Sequence, residues 1–336
     1  MSKLKLGLFG VGHLGKIHLK CIEETGLFEL VGFYDPDNEI SEQVSVQHKI
    51  KRFHDMDALI SAVELVDIVT PTLSHYEIAK RCIAQNKHFF VEKPLTNSLA
   101  EAKELLALIK GKNIKAQVGH VERFNPAYLS IENKELQPLF IEAHRLSSFN
   151  SRGIDVSVVL DLMIHDLDII LKLVNSPVRN ISAVGVSVLT QSDDISNARI
   201  EFENGCIANI TASRMSLKQM RKLRLFQNDA YISMDFLNKK SEFIKITESN
   251  TGGQANFMEI ETPAGLKYMS IEEAETVPVN AIKMELESLY YSIKEDKAVK
   301  VSLEEGYNAL KLAHDILEKI DERNARMADI GQIINS

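Results

Sequence analysis

The sequence predicts an α/β protein in two parts: an N-terminal doubly wound parallel sheet, then an α+β domain with an open, largely antiparallel sheet. Three observations carry this. Short apolar runs alternate with helical stretches over the first third of the chain. After about Val121 the runs are separated by turn signals instead of helices. The length, 336 residues, suits two domains of roughly 100–200 residues each. The expected division is 1–120, 121–300 and a C-terminal helix over 301–336 that packs back on the body.

Leu4–Phe9 reads as a strand, Leu14–Thr25 as a helix closed by Gly26, and Glu29–Tyr34 as the next strand. Val66–Thr70, His88–Val91 and Lys115–Gly119 are further β runs. Helices from about Ser74 to Gln85 and over Leu99–Ile109 separate them. Ser74 with Glu77, Ser98 with Glu101 and Ser302 with Glu305 have the spacing of capping boxes, in which each side chain satisfies a free backbone N–H at a helix start. A helical segment follows from about Ser157 to Val174. Ala198–Phe202 and Cys206–Thr211 flank Glu203-Asn204-Gly205, and Asn-Gly is the strongest short hairpin signal. Leu223–Phe226 and Tyr231–Asp235 flank Asn228-Asp229, and Phe243–Thr247 and Phe257–Glu261 flank a Gly/Asn-rich loop. Two helices, from about Ala281 and Ser302, close the chain.

The totals exclude several classes. A 45% apolar and 26% charged composition is that of a folded soluble protein. The net charge of −8 argues against a nucleic-acid partner, because phosphate binding needs a basic face. No apolar run reaches the ~20 residues that span a bilayer, so no membrane partner is expected. The N-terminal MSKLKLGLFG runs directly into a strand without the features of a secretory signal. Cys21, Cys82 and Cys206 are odd in number and far apart, with no metal or disulfide pattern; a reducing cytoplasm fits them.

Gly10-Val11-Gly12-His13-Leu14-Gly15 is G-x-G-x-x-G, set between a strand ending at Phe9 and a helix beginning near Leu14. Such glycines allow a tight turn, close approach of backbone to a pyrophosphate and close helix–strand packing, the fingerprint of a Rossmann domain. The helix N-terminus offers free N–H groups and partial positive charge to the anion. Asp35 closes the second strand, where a carboxylate accepts hydrogen bonds from the adenosine ribose. Pro36, not an arginine, follows it, which favours NAD over NADP.

A second signature lies further on. Thr70, Pro71 and His75 stand in a T-P-x-x-x-H segment after one strand, and Glu92, Lys93 and Pro94 end the next. Together with the glycine loop these resemble the Gfo/Idh/MocA family of glucose–fructose oxidoreductase and inositol dehydrogenase relatives. The resemblance covers nearly the whole chain. It implies hydride exchange between NAD(P) and a carbohydrate hydroxyl, Thr70, Pro71, His75, Glu92 and Lys93 near the cofactor, a catalytic Lys93, and a cis Lys93–Pro94 bond. Physically, Glu-Lys-Pro ends a parallel strand, where open α/β sheets place ligands. Pro94 removes a donor and restricts Lys93.

In the segment from Ser157 to Val174, Asp161, His165, Asp168 and Lys172 stand at i, i+4, i+7 and i+11, one face of an α-helix, and Asp166 is a polar exception on another. Three readings of that face compete: a solvated stripe, a metal site, and a catalytic histidine oriented by a carboxylate. The metal reading lacks a supporting His or Cys cluster, so no metal is expected. The family resemblance carries a catalytic D-x-x-x-H pair onto Asp161 and His165. An imidazole titrating near neutrality suits the base that takes the hydroxyl proton.

The strings G-H-V-E-R-F-N-P-A from Gly119 and D-L-M-I-H-D from Asp161 look like the branch of the family that oxidises nucleotide sugars. That resemblance implies the C3 hydroxyl of a UDP-sugar such as UDP-N-acetylglucosamine. Arg123 and Arg152 are candidate ligands for its phosphates, since guanidinium pairs bidentately with phosphate, and Asn125 and Tyr128 for the sugar. A free sugar or polyol dehydrogenase of the inositol type and a non-catalytic cofactor-sensing regulator are the competing readings. An open antiparallel sheet needs its second face covered, which predicts a homodimer or homotetramer through that sheet.

Overall fold

The computed structural model describes residues 2–150, 156–228, 230–248, 257–263, 265–274 and 279–335. Two compact units emerge, one of residues 1–124 and 280–310, the other of 125–279 and 311–336. The linear division expected from sequence differs here, because residues 280–310 return to the first unit. Burial is the reason: Leu286, Leu289 and Tyr290 share an apolar core with Leu4, Leu19 and Phe28.

The first unit contains β1 (Leu4–Phe9), β2 (Phe28–Tyr34), β3 (Leu65–Ile68), β4 (His88–Glu92) and β5 (Ala116–Gly119). They form one parallel sheet in the order β2-β1-β3-β4-β5. Its helices are α1 (His13–Thr25), α2 (Asn38–His48), α3 (Met56–Ala62), α4 (His75–Ala84) and α5 (Leu99–Ile109). The second unit adds α6 (Pro126–Leu129) and α7 (Ile164–Val174), and α8 (Ala281–Lys294) returns to the first. The last helix, α9 (Leu303–Asn335), contributes its start to the first unit and its remainder to the second. Helices α2 and α3 escape the sequence reading, although an aspartate caps each: Asp37 accepts from the Ile40 N–H at 3.0 Å and Asp55 from the Ala58 N–H at 2.7 Å. Among the described residues, no helix is long and apolar enough to cross a membrane.

Two of the three expected capping boxes form, at Ser98–Glu101 and Ser302–Glu305. Ser74 does not cap α4. It ends a 3₁₀ turn, Thr72–Ser74, whose own bonds already start the helix, and Glu77 pairs with Arg81 one turn on at 2.8 Å.

The second unit is built on β6 (Phe140–Leu146), β7 (Val178–Val186), β8 (Ile195–Phe202), β9 (Ile207–Ser213), β10 (Met220–Phe226), β11 (Ala230–Asp235), β12 (Lys240–Thr247), β13 (Phe257–Thr262) and β14 (Gly265–Glu273). The order is β13-β14-β12-β11-β10-β6-β9-β8-β7, antiparallel throughout except for the parallel β6–β9 pair. Asn204-Gly205 makes the expected β8–β9 turn, with Gly205 at φ 86°. The pairing around β12 departs from expectation: β14 lies between β12 and β13 and pairs with both. The alternation that marks a strand is hidden in β14 by its Lys267, Glu272 and Glu273.

One face of this sheet is buried. Ile141, Ala143, Ile200, Ile210 and Leu225 share a core with Val159, Met163, Leu167 and Ile170 from the helical segment. Arg145 follows Ile141 and Ala143 on the covered side of β6 and meets Asp166 of α7 through two bonds of 2.9 Å, both residues being buried. A bidentate pair of this kind fixes the rotation of α7 on the sheet, and removing one partner typically costs about 3–5 kcal/mol, because the other charge is left buried.

The turn from β1 into α1 depends on two glycines. Gly10 has φ 88°, and a Cβ there would lie 2.6 Å from the Val69 carbonyl oxygen. A Cβ on Gly15 would lie 2.1 Å from the Gly10 carbonyl oxygen, which is backbone and cannot move aside cheaply. A Cβ on Gly12 would meet nothing within 4 Å. Gly15→Ala is therefore expected to lower unfolding free energy by roughly 3 kcal/mol, and Gly12→Ala to leave it within about 0.5 kcal/mol. Urea denaturation of the two variants measures the contrast, and equal destabilisation would contradict it.

Candidate active site

The C-terminal ends of β1, β2 and β3 open onto a cavity of about 660 Å³. Gly10, Gly12, His13, Leu14, Asp35, Thr70 and Pro71 line it, all of them expected to lie near a cofactor. Tyr34, Met56, Leu73 and Ile78 add an apolar wall that sequence reasoning misses, since they come from four separate segments. Gly12 is the N-cap of α1 and makes no side-chain cap, so N–H groups of the first helical turn remain available to an anion. Asp35 is held in place: the Val11 N–H donates to Oδ2 and the Asp37 N–H to Oδ1, each at 2.9 Å. Arg52 reaches this corner from beyond α2, a proximity invisible in sequence. Its Nη2 donates to Asn38 Oδ1 at 2.7 Å and to the Asp35 carbonyl at 3.4 Å. An apolar trough, an open glycine at a helix N-terminus and a fixed carboxylate at the next strand end fit a dinucleotide.

Val11 and Gly15 are buried and do not line the cavity. His75 is buried too, and it does not line the cavity. Its Nε2 lies 2.9 Å from the Thr70 carbonyl oxygen and its Nδ1 2.9 Å from that of Pro94, so it ties the end of β3 to the loop after β4. Burial pushes its imidazole below the ordinary value, against the pull of those carbonyl contacts. The Lys93–Pro94 bond is cis, as the resemblance implies, and Lys93 is half-buried.

Glu92 turns inward and does not line that cavity. Its Oε2 accepts from the Lys93 backbone N–H at 3.1 Å, and its Oε1 lies 3.2 Å from His18 Nε2. His18 Nδ1 lies 3.0 Å from Asp67 Oδ2. Atoms of His18, Glu92 and Glu285 lie within 4.8 Å of one another. Burial alone would push the His18 imidazole down, but the Asp67 and Glu92 carboxylates outweigh it and hold it well above its ordinary value. Burial first, then the nearby Glu92 charge, pushes the Glu285 carboxyl well up. Sequence reasoning misses His18, Asp67 and Glu285. The available signal is polarity at buried positions, Asp67 in the apolar run of β3 and His18 on the core side of α1.

Lys93 belongs to the first unit, Asp161 and His165 to the second. His165 lies in the first turn of α7, and the turn before it, Val159–Met163, is a π-helix. The wider i→i+5 turn breaks the strict i, i+4 count assumed from sequence. Asp161 and His165 are half-buried, Asp168 is buried and Lys172 exposed, so the four residues do not form one solvated stripe. Asp166, the expected exception, is the partner of Arg145.

Three residues expected at a substrate site have partners within their own units. Arg123 is buried and pairs with Glu305 at 3.5 Å. Asn125 caps α6, accepting from the Ala127 N–H and donating to the Phe236 carbonyl, each at 3.0 Å. Tyr128 is buried in the apolar core of the second unit. Arg152 lies outside the described residues.

Residues 4–120 match the model of an oxidoreductase family with an NAD-binding Rossmann fold, and residues 134–232 match the GFO/IDH/MocA C-terminal domain. UDP-N-acetylglucosamine 3-dehydrogenase of Acidithiobacillus ferrooxidans is 35% identical over 239 residues, 71% of this chain and 76% of that protein. The scyllo-inositol 2-dehydrogenase (NAD(+)) of Bacillus subtilis is 28% identical over 233 residues, 64% of this chain and 68% of that protein. A solved structure of the A. ferrooxidans enzyme matches with a TM-score of 0.85 at 29% identity, covering 96% of this chain and 99% of that one. Levoglucosan dehydrogenase in complex with NADH shares the fold, with a TM-score of 0.82 at 18% identity over 96% of this chain and 98% of that one. With its glycine cradle, fixed Asp35 and cis Lys93–Pro94 step, and with both family models matched, this protein belongs to the Gfo/Idh/MocA family of NAD-dependent oxidoreductases.

Proposed function

We propose that this dehydrogenase oxidises the C3 hydroxyl of a UDP-sugar, UDP-N-acetylglucosamine being the first to test. The similarity to the A. ferrooxidans enzyme of that specificity, over 71% of the chain, carries the reading. NAD supplies the hydride acceptor when bound. Gly12 and the N–H groups after it hold its pyrophosphate, and Asp35 its adenosine ribose. As the sugar carbon gives up hydride, the His165 imidazole takes the proton from the hydroxyl oxygen. Asp161 orients that imidazole and stabilises the imidazolium it becomes. The Lys93 ammonium stabilises negative charge developing on the oxygen.

A free-polyol substrate is the second reading. Arg123, an expected phosphate ligand, is buried and pairs with Glu305, and inositol dehydrogenases are among the relatives. The protein is proposed to work in the reducing cytoplasm, where its three free, buried cysteines stay reduced. It is further proposed to pair as a homodimer or homotetramer across the sheet face opposite α7, where β6 side chains alternate half-buried with buried. Sedimentation velocity is expected to show a dimer or larger, and a strictly monomeric species would remove that proposal.

NADH is expected to form when NAD⁺ and UDP-N-acetylglucosamine are added together. His165→Ala should cut kcat by about 10²–10⁴-fold with NAD⁺ affinity kept. A variant with full activity would remove His165 as the base. The two substrate readings separate at Arg152: Arg152→Ala should raise KM for the UDP-sugar at least about tenfold, the loss of one charge-assisted phosphate contact. An unchanged KM, with turnover of free inositols, would favour the polyol reading.

A further inference from the structure

His18, Asp67, Glu92 and Glu285 come from α1, β3, β4 and α8, and all four are buried. Both ring nitrogens of His18 face carboxylate oxygens, Asp67 Oδ2 at 3.0 Å and Glu92 Oε1 at 3.2 Å. A neutral imidazole has one N–H and can donate to only one of two ionised carboxylates, so two ionised acceptors call for two protons on the ring. Glu285 is fully buried, and neither of its carboxyl oxygens has a hydrogen-bond partner among the described residues. An anion cannot persist there uncompensated, whereas a neutral acid can. Glu92, the last residue of β4, also joins this cluster to the next residue, through its bond to the Lys93 N–H at 3.1 Å.

We propose that His18, Asp67, Glu92 and Glu285 act as positioning residues for Lys93: a doubly donating His18 clamps the Glu92 carboxylate, whose other oxygen fixes the Lys93 backbone. This rests on the catalytic role proposed for Lys93. The clamp works in series. Asp67 Oδ2 holds one side of the imidazolium and Glu92 Oε1 the other, so the Glu92 side chain cannot rotate without breaking a buried charge-assisted bond. Glu285 stays neutral and keeps a third negative charge out of the cluster. Cys21 on α1 and His75 on α4 feel the charges of His18 and Glu92, but Cys21 bonds to Asn280 and both ring nitrogens of His75 meet backbone carbonyls, so neither replaces a carboxylate in this arrangement. A divalent cation held by His18, Glu92 and Glu285 would compensate the same excess of acid with a metal in place of two protons. The His18–Glu92 contact of 3.2 Å suits a direct hydrogen bond, and the metal content of the purified protein separates the two arrangements.

Nitrogen NMR of the full-length protein labelled at histidine tests the clamp without any substrate. His18 is expected to show two protonated ring nitrogens through neutral pH, and a single protonated nitrogen would overturn the proposal. The infrared spectrum should contain a protonated-carboxyl band that disappears in Glu285→Gln; no such band in the unsubstituted protein would overturn the neutral acid. His18→Asn should lower kcat about 10- to 100-fold, the scale of a small misplacement of a catalytic group, with KM for NAD⁺ changed less than about threefold. A folded His18→Asn enzyme with unchanged kcat would overturn positioning. Stoichiometric divalent metal in the purified protein, lost in Glu285→Gln, would replace the clamp by a metal site. If no sugar or polyol is turned over at all, the proposed function fails, and the NMR and infrared results still decide the clamp.

Discussion

The approach of α1 to the end of β1 is the constraint on which the rest of the first unit depends. Gly10 turns through positive φ beneath the Val69 carbonyl, and Gly15 brings the first helical turn onto the Gly10 carbonyl. Backbone meets backbone there with no room for a methyl group. The consequence reaches in two directions. Outward, the helix N-terminus faces the cavity with Gly12 open beside it and Asp35 held on the Val11 N–H. Inward, the same helix sets His18 between Asp67 and Glu92, one residue from Lys93. A cradle for an anion and a clamp behind a strand end are thus two faces of one rigid helix placement.

Two buried charge clusters among the described residues are built differently. Arg145 and Asp166 balance each other through two parallel bonds, and their effect is to orient α7. His18, Asp67, Glu92 and Glu285 do not balance, because one imidazole faces three acids. Burial of that kind persists only with extra protons or a cation, and perturbed groups of this sort collect near functional sites. The unbalanced cluster backs onto the Glu92–Lys93 step, whereas the balanced pair lies between a strand and a helix.

Much of the first unit was legible in the residues. Its parallel sheet is covered on both faces, so its strands read as apolar runs, and its turns carry glycines and caps whose chemistry is local. Ser98 and Ser302 behave as their spacing implies. Ser74 does not, since the 3₁₀ turn before it already begins the helix. The stripe read on Asp161, His165, Asp168 and Lys172 assumed an unbroken α-helix, and the π turn at Val159–Met163 breaks that count. Arg123 and Asn125 have side chains suited to a polar substrate, and each also meets a partner far along the chain, Glu305 and Phe236.

The order of glycines, Asp35, Thr70-Pro71 and Glu92-Lys93-Pro94 determined the fold class, the cofactor and the family, because each acts through the few residues around it. Tertiary structure alone decided the return of residues 280–310 to the first unit, the place of β14 between β12 and β13, and the meeting of His18, Asp67, Glu92 and Glu285. Those outcomes are set by which apolar faces and which charges can be buried together. The groups concerned are separated by tens to hundreds of residues, so no local spacing records them.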